Sequence, residues 1–329
     1  MKALPFEKEE REIFIRKEAE TSVKFGCKPD KRTTPELIEY GIINIDKPAG
    51  PTSHQISAYV QKILNITKAG HSGTLDPGVT GVLPIALQKG TRVVQALLTA
   101  GKEYVCIMHV HKDIPEKEIR RVCEKFTGKI RQLPPIKSAV KRQWRFRKIY
   151  YIDILEIQEK DVLFRVGCQA GTYIRKLCSD IGKEIGGAHM AELRRTKAGS
   201  FNERTTLCTL QDLADACYYY TKEGNDKYLR HLIQPIEKAV EHLPKIWVFD
   251  QTVNTLCNGA SLKCPGISKV TSNVQLEDVV AVMTLKNELV GLGNAKLISK
   301  DMLSDKGIAV KLEHVFMKPG VYPKIEKVV

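Results

Sequence analysis

The sequence predicts an α+β protein in which a mainly antiparallel mixed-sheet domain is followed by a small β-barrel-like domain. Three observations lead there. Strand and helix patterns mix without the regular βαβ rhythm of a doubly wound fold. After Pro244 the pattern changes to short strands punctuated by glycines and turn residues. The chain has 329 residues, 43% hydrophobic and 27% charged, which suits about two packed units.

In chain order, residues 1–38 read as a charged extension, turn-rich over 28–35 and placed to pack on the C-terminal domain. Residues 41–46 (GIINID) form an apolar strand closed by the turn cluster Lys47-Pro48-Ala49-Gly50-Pro51. Ser53 is the expected N-cap of a helix reaching Leu64, with Ile56, Val60, Ile63 and Leu64 on one face. A loop with four glycines runs over 70–81, then a buried strand over 81–87, a helix over 91–98 and a strand over 102–110. A basic amphipathic helix is expected over 116–126, paired strands over 149–157 and 161–168, and helices over 172–185 and 209–220, the last capped by Thr209. Four short strands follow, at 246–249, 279–285, 289–295 and 308–315. The expected division is 1–38, 39–244 and 245–325.

The formal net charge is +14, from 52 Lys and Arg against 38 Asp and Glu. Residues 245–329 hold 11 basic and 8 acidic residues, a net of +3, so most of the excess lies before them. The segment 117–148 alone has 12 basic residues against two acidic ones. Such a field favours a polyanionic partner. No apolar run approaches the ~20 residues that span a bilayer, and the N-terminus lacks a signal-peptide apolar core, so a cytoplasmic protein without membrane association is expected. The nine cysteines include no CxxC pair and read as reduced core thiols. His109 and His111 share a strand face, but with no third ligand candidate nearby a metal site is not expected.

The stretch Gly70-His71-Ser72-Gly73-Thr74-Leu75-Asp76-Pro77-Gly78 places an aspartate in a glycine-rich loop. Proline biases Asp76 toward extended geometry, and the glycines admit a ligand close to the backbone. By itself such an aspartate is as readily a turn residue as a reactive one.

The wider run GHSGTLDPGVTGVLPI resembles the signature loop of the TruB family of pseudouridine synthases. Lys102-Glu103-Tyr104, Gly171-Thr172-Tyr173-Ile174-Arg175 and Leu193-Arg194-Arg195-Thr196 resemble three further family segments in the right order. Asp46-Lys47-Pro48-Ala49-Gly50 and Pro134-Pro135-x-x-Ser138-Ala139 resemble two more. Residues 141–151 (KRQWRFRKIYY), and the segments 243–249 (LPKIWVF), 265–267, 283–285 and 316–323, resemble the family's archaeal, guide-RNA-dependent branch, homologous to dyskerin, with its C-terminal RNA-binding PUA domain. Trp144 and Phe146 depart from that branch, whose basic stretch is more uniformly Arg and Lys.

The resemblance implies isomerisation of uridine to pseudouridine in rRNA, and in tRNA as well, directed by an H/ACA guide RNA and assisted by small partner proteins. The reaction breaks the C1′–N1 bond and rejoins the uracil through C5, with no redox change, so no cofactor and no metal are expected. Asp76 is the implied carboxylate. It can attack C1′, attack C6, or remove the C2′ proton, and the sequence leaves these open. Arg175 is the implied countercharge that keeps Asp76 ionised in a site closed to water. The base must leave its stack to react. Tyr104 would receive it and help move the C5 proton, Tyr173 would orient the Asp76–Arg175 pair, and Leu193 would form an apolar wall. His71 would contact RNA near the flipped base, and Lys47 would support the loops. Lys141, Arg142, Arg145, Arg147 and Lys148 are the expected RNA-backbone contacts. Two other readings remain: a stand-alone synthase acting on the tRNA T-loop, and an RNA-binding scaffold without catalysis, against which intact Asp76, Tyr104, Tyr173 and Arg175 count.

Overall fold

A computed structural model describes residues 2–135 and 141–324. Ser138 and Ala139 of the Pro-Pro motif fall outside the described residues. Among the described residues the strands are β1 (Ile13–Ile15), β2 (Gly41–Lys47), β3 (Ala69–His71), β4 (Thr80–Leu87), β5 (Lys102–Val110), β6 (Gly128–Gln132), β7 (Arg145–Gln158), β8 (Asp161–Cys168) and β9 (Ala188–Ala198). They continue with β10 (Phe201–Asn202), β11 (Leu207–Cys208), β12 (Ile233–Pro235), β13 (Lys245–Val248), β14 (Leu262–Lys263), β15 (Ile267–Thr271), β16 (Val279–Thr284), β17 (Leu289–Ala295) and β18 (Ile308–Val315). The helices are α1 (Pro5–Lys8), α2 (Thr34–Glu39), α3 (Ser53–Leu64), α4 (Val94–Thr99), α5 (Glu116–Lys125), α6 (Ile174–Glu184), α7 (Leu210–Glu223), α8 (Lys227–Leu232) and α9 (Asp250–Cys257).

The larger sheet runs β11-β2-β4-β9-β5-β8-β7-β6, with β10, β12 and β3 paired at its sides. Most neighbours are antiparallel, as the sequence suggested. The exceptions are β2 with β11 and β4 with β9. The second sheet runs β1-β15-β13-β16-β17-β18-β14. One hydrophobic core lies on the β5–β8 side, with Val122 of α5 and Leu177 and Ile181 of α6 packed on the sheet. A second packs α3 and α7 on β2 and β4, through Ile56, Val60 and Leu213. A third core is shared by the two sheets: Leu97, Phe201 and Val240 from one side meet Trp247, Met283, Leu289 and Phe316 from the other.

Local chemistry explains the main departures from expectation. Thr52, not Ser53, caps α3: its hydroxyl accepts from the Gln55 amide, and Gln55 answers with its side chain. The helix expected at 91–98 is a 3₁₀ stretch over Gln88–Val93 followed by α4. Helix α6 starts later than expected, because Tyr173 is extended and occupies the N-cap position. The nine cysteines are all free, six of them buried.

The expectation that His109 and His111 lack a neighbouring ligand candidate does not hold. The pairing of β9 with β5 sets His189 opposite His109, and His189 Nδ1 lies 2.9 Å from His111 Nε2. Among the described residues, however, no group of three or more His, Cys, Asp or Glu is disposed to hold a metal ion. Nor, among those residues, is any helix long and apolar enough to cross a membrane.

Candidate active site

The loop between β3 and β4 carries Asp76, and its backbone is pinned at every second residue. The Gly73 carbonyl accepts from Arg195 Nη2 at 3.2 Å. Ser53 binds both faces of Leu75, accepting from its amide at 2.8 Å and donating to its carbonyl at 3.2 Å. The Pro77 carbonyl accepts from Lys47 Nζ at 3.0 Å and from the Gly50 amide at 2.9 Å. The Val79 carbonyl accepts from Lys47 Nζ at 2.8 Å. Residues 73, 75, 77 and 79 thus face the protein, and the even-numbered Asp76 side chain faces out.

The Asp76 carboxylate meets Arg175, through Oδ2 and Nη2. Arg175 comes from the first turn of α6, whose backbone entrance is fixed by Gln132. That amide accepts from the Tyr173 N–H at 3.1 Å and donates to the Tyr173 carbonyl at 3.2 Å. Strand β6 therefore holds the helix end that delivers the arginine. Both members of the pair are more than half exposed, at 57% for Asp76 and 56% for Arg175. The expectation of a dry pocket around them is not met by the free chain, so exclusion of water there falls to bound RNA.

Lys47 is fully buried, with its ammonium donating to the Pro48, Pro77 and Val79 carbonyls. Burial lowers its pKa, the Asp76 charge opposes that shift, and Arg195 adds to it. His71 is half-buried on β3 and edge-stacked on His54, with ring centroids 4.7 Å apart. Its Nδ1 is buried without a hydrogen-bond partner. Burial, then the charges of His54 and Arg195, push its pKa down and favour neutral imidazole. Tyr104 on β5 and Leu193 on β9 are half-buried against the core under the central sheet.

The basic stretch is less uniform than its sequence suggests. Lys141, Arg142 and Lys148 are exposed, whereas Arg145 and Arg147 are half-buried. Arg147 donates to the Gly171 carbonyl at 3.1 Å, so it also holds the turn that leads into Tyr173. Trp144 and Phe146 are exposed, and each lies under a cation: Arg131 at 4.5 Å and Lys129 at 4.3 Å from the ring centroids.

Sequence reasoning missed two residues that shape this site. Ser53 was read as a helix cap, and Arg195 only as a letter of the Leu-Arg-Arg-Thr segment. The signal for Arg195 was available: an arginine inside a strand whose neighbours lie in a core must be satisfied by nearby acceptors.

An out-turned carboxylate on a pinned loop, paired with a helix-borne arginine at the C-terminal side of a mixed sheet, followed by a second β-rich unit, defines the class of protein. The chain belongs to the TruB family of pseudouridylate synthases. Residues 61–174 match the TruB family pseudouridylate synthase N-terminal domain, and 175–241 match the tRNA pseudouridylate synthase B C-terminal domain. Residues 1–57 match the DKCLD domain, and 244–316 match the PUA domain. The chain is 55% identical over 323 residues to the probable tRNA pseudouridine synthase B of Methanopyrus kandleri, covering 98% of this chain and 95% of that protein. It is 56% identical to the Pyrococcus furiosus protein of the same name over 318 residues, covering 96% and 94%. Among solved structures it resembles a chain of a Cbf5-Nop10-Gar1 complex (55% identity, TM-score 0.95, covering 98% and 99%). It also resembles a chain of an H/ACA RNP bound to a substrate RNA containing 2′-deoxyuridine (52% identity, TM-score 0.93, covering 99% and 100%).

Proposed function

We propose that this synthase converts uridine to pseudouridine in rRNA under the direction of an H/ACA guide RNA, with Asp76 as the reacting carboxylate. The observation that carries the assignment of Asp76 is its placement. Four neighbouring backbone groups are tied down while this one side chain points outward at a guanidinium. Asp76 reacts while ionised, and Arg175 supplies the matching charge. Tyr104 lies beside the site to stack on the extruded base. Lys141, Arg142 and Lys148 meet RNA phosphates, and Arg147 combines that role with support of the Gly171 turn.

The proposal extends to partners and domains. The matched solved chains come from a Cbf5-Nop10-Gar1 complex and from an H/ACA RNP with substrate RNA, and they are covered nearly end to end. That supports a particle in which residues 245–325 hold the guide and residues 39–244 carry the chemistry and the small partner proteins. The name shared by the archaeal relatives favours a second activity, on tRNA without a guide.

The deciding experiment measures tritium release from C5-labelled uridine, using rRNA and tRNA substrates, each with and without an H/ACA guide. Guide-dependent release from rRNA is expected. The Asp76→Asn chain should bind RNA like the wild type and release nothing, because the shape of the side chain is kept and its charge is lost. Turnover by that variant at a thousandth of the wild-type rate would remove Asp76 from the essential role, whose loss should cost more than ~4 kcal/mol.

A further inference from the structure

Arg195 is among the largest fully buried side chains in the protein, at 1% exposure. Its Nε donates to the Val82 carbonyl of β4 at 2.8 Å and its Nη2 to the Gly73 carbonyl of the Asp76 loop at 3.2 Å. Across the β5–β9 pairing it stands opposite Tyr104, at a register shift between Glu103 and Tyr104, and a side-chain hydrogen bond joins the guanidinium to the phenol. Among the described residues no carboxylate pairs with it. Lys102, two residues before Tyr104 and also buried, is fully occupied elsewhere, donating to the Leu97, Leu98 and Ala100 carbonyls at 2.7, 3.0 and 2.7 Å.

A buried guanidinium without an acid is costly, and a neutral donor would serve two carbonyls as well. The expense is explained if the charge acts on a neighbour. We propose that Arg195 is the positioning residue that holds the Tyr104 phenol, through its oxygen, in the state that accepts the uracil C5 proton. The inference rests on the uridine isomerisation proposed above. Once C5 has bonded to C1′, that carbon is tetrahedral and still carries its hydrogen. The C5–H electrons return to the ring, the Tyr104 phenolate takes the proton, and N1 gains one from water, so the base ends neutral and no oxidant or reductant takes part. A phenol buried alone is a poor proton acceptor, because its anion is disfavoured. Burial raises the Tyr104 pKa, Cys168 on β8 and Asp76 on the loop push the same way, and Arg195 on β9 is the group that opposes them by charge and by hydrogen bond.

The test uses the full chain, in whichever RNA assembly supports wild-type turnover, with Arg195→Lys and Arg195→Met. Single-turnover rates are followed against pH with ordinary and with C5-deuterated uridine in the substrate RNA. If Arg195 acts through the phenol, Arg195→Met should lose roughly 10²-fold in rate, the scale of one proton-transfer catalyst. Its profile should move to higher pH, and a primary deuterium isotope effect should emerge as C5 deprotonation becomes slow. Arg195→Lys keeps the charge and should fall between. A variant that merely loosens the site would slow without any change in isotope effect or profile, and that result overturns the proposal. Should Arg195→Met fail to fold, 3,5-difluorotyrosine at position 104 decides the question in the Arg195→Lys chain. The more acidic phenol should close much of the gap to wild type, and an unchanged gap overturns the proposal. A wild-type chain that releases no C5 hydrogen from any substrate overturns the functional reading itself, and this inference with it.

Discussion

At the residue scale, the ion pair at the loop tip invites the sharpest comparison. Asp76 and Arg175 lie 99 positions apart in sequence, and both are largely exposed. An exposed pair adds little to folding stability, typically 0–1 kcal/mol. Replacing Arg175 should therefore leave thermal unfolding almost unchanged while disabling chemistry, because in the RNA-covered site Asp76 would face a low-dielectric environment without a countercharge. Arg175→Ala is expected to lower the single-turnover rate by at least a hundredfold, a loss of ~3 kcal/mol. Arg175→Lys should recover only part, since an ammonium lacks the planar fork that matches a carboxylate. Wild-type turnover by both variants would show that Arg175 is not the functional partner. The two residues could be nominated from sequence because motifs flag them individually. Their exposure could not, since it depends on which surface the RNA covers. Lys47 and His71 likewise had legible positions, but nothing in the linear chain distinguishes an ammonium bound to three carbonyls from one bound to phosphate.

At the scale of elements, the glycine-rich loop has two kinds of glycine that the sequence cannot tell apart. Gly81 has φ +103°, and a β-carbon there would lie 2.2 Å from the Arg195 carbonyl oxygen, a backbone atom. Its bare backbone is what lets β4 pair with β9, so that Arg195 reaches Val82 and Gly73. Gly78 has ordinary backbone and open space around it. Gly81→Ala should thus destabilise the protein by at least ~2 kcal/mol, from strain and from separation of two central strands. Gly78→Ala should be nearly neutral. Thermal and denaturant unfolding of the two variants compares them directly, and equal effects would contradict this division. Strand β9 itself escaped the sequence reading for a related reason. Its buried members include Arg195 and Thr196, so the alternation of apolar residues that reveals β5 is missing. Regular elements built on apolar periodicity, such as α3, β4, β5, β8 and α7, were legible almost to the residue. The element that builds the floor of the site was not, because it has polar side chains where a plain core strand would have apolar ones. Strands β1, β6 and β15 were missed because they are short and take their stability from partners distant in sequence.

At the scale of the whole molecule, the N-terminal extension fastens the two sheets together. Glu7 pairs with Lys197 on β9, Arg11 donates to the Glu241, His242 and Leu243 carbonyls of the connecting segment, β1 joins the second sheet, and Arg32 pairs with Glu237. Removing residues 246–329 would expose the shared core around Leu97, Phe201 and Leu243, so the second unit cannot be deleted without disturbing the first. His242 stands at this junction, 8% exposed, edge-on to Phe6 of α1, with its Nε2 3.1 Å from the Ala96 carbonyl of α4. Burial pushes its pKa down to about 4, and Lys102, Lys245 and Arg11 add to the shift with no carboxylate opposing them. The sign of the consequence follows. Above the ordinary value of 6.5 the imidazole is neutral in both folded and unfolded chains. As pH falls below that value the unfolded chain takes up a proton that the folded chain refuses until about 4, so stability falls through this window and then levels. The full loss is about 3 kcal/mol for a shift of that size. Carboxylates titrate over part of the same range, so the measurement is a difference. Wild type and His242→Gln, which keeps an N–H donor but cannot titrate, are unfolded by denaturant at a series of pH values between 7 and 4. The wild type should lose stability more steeply than the variant on acidification, and most of the gap should open between pH 6.5 and 4. Parallel curves would mean that the junction tolerates a charged imidazole, and that the contact joining the extension, the catalytic sheet and the second sheet is looser than its packing indicates.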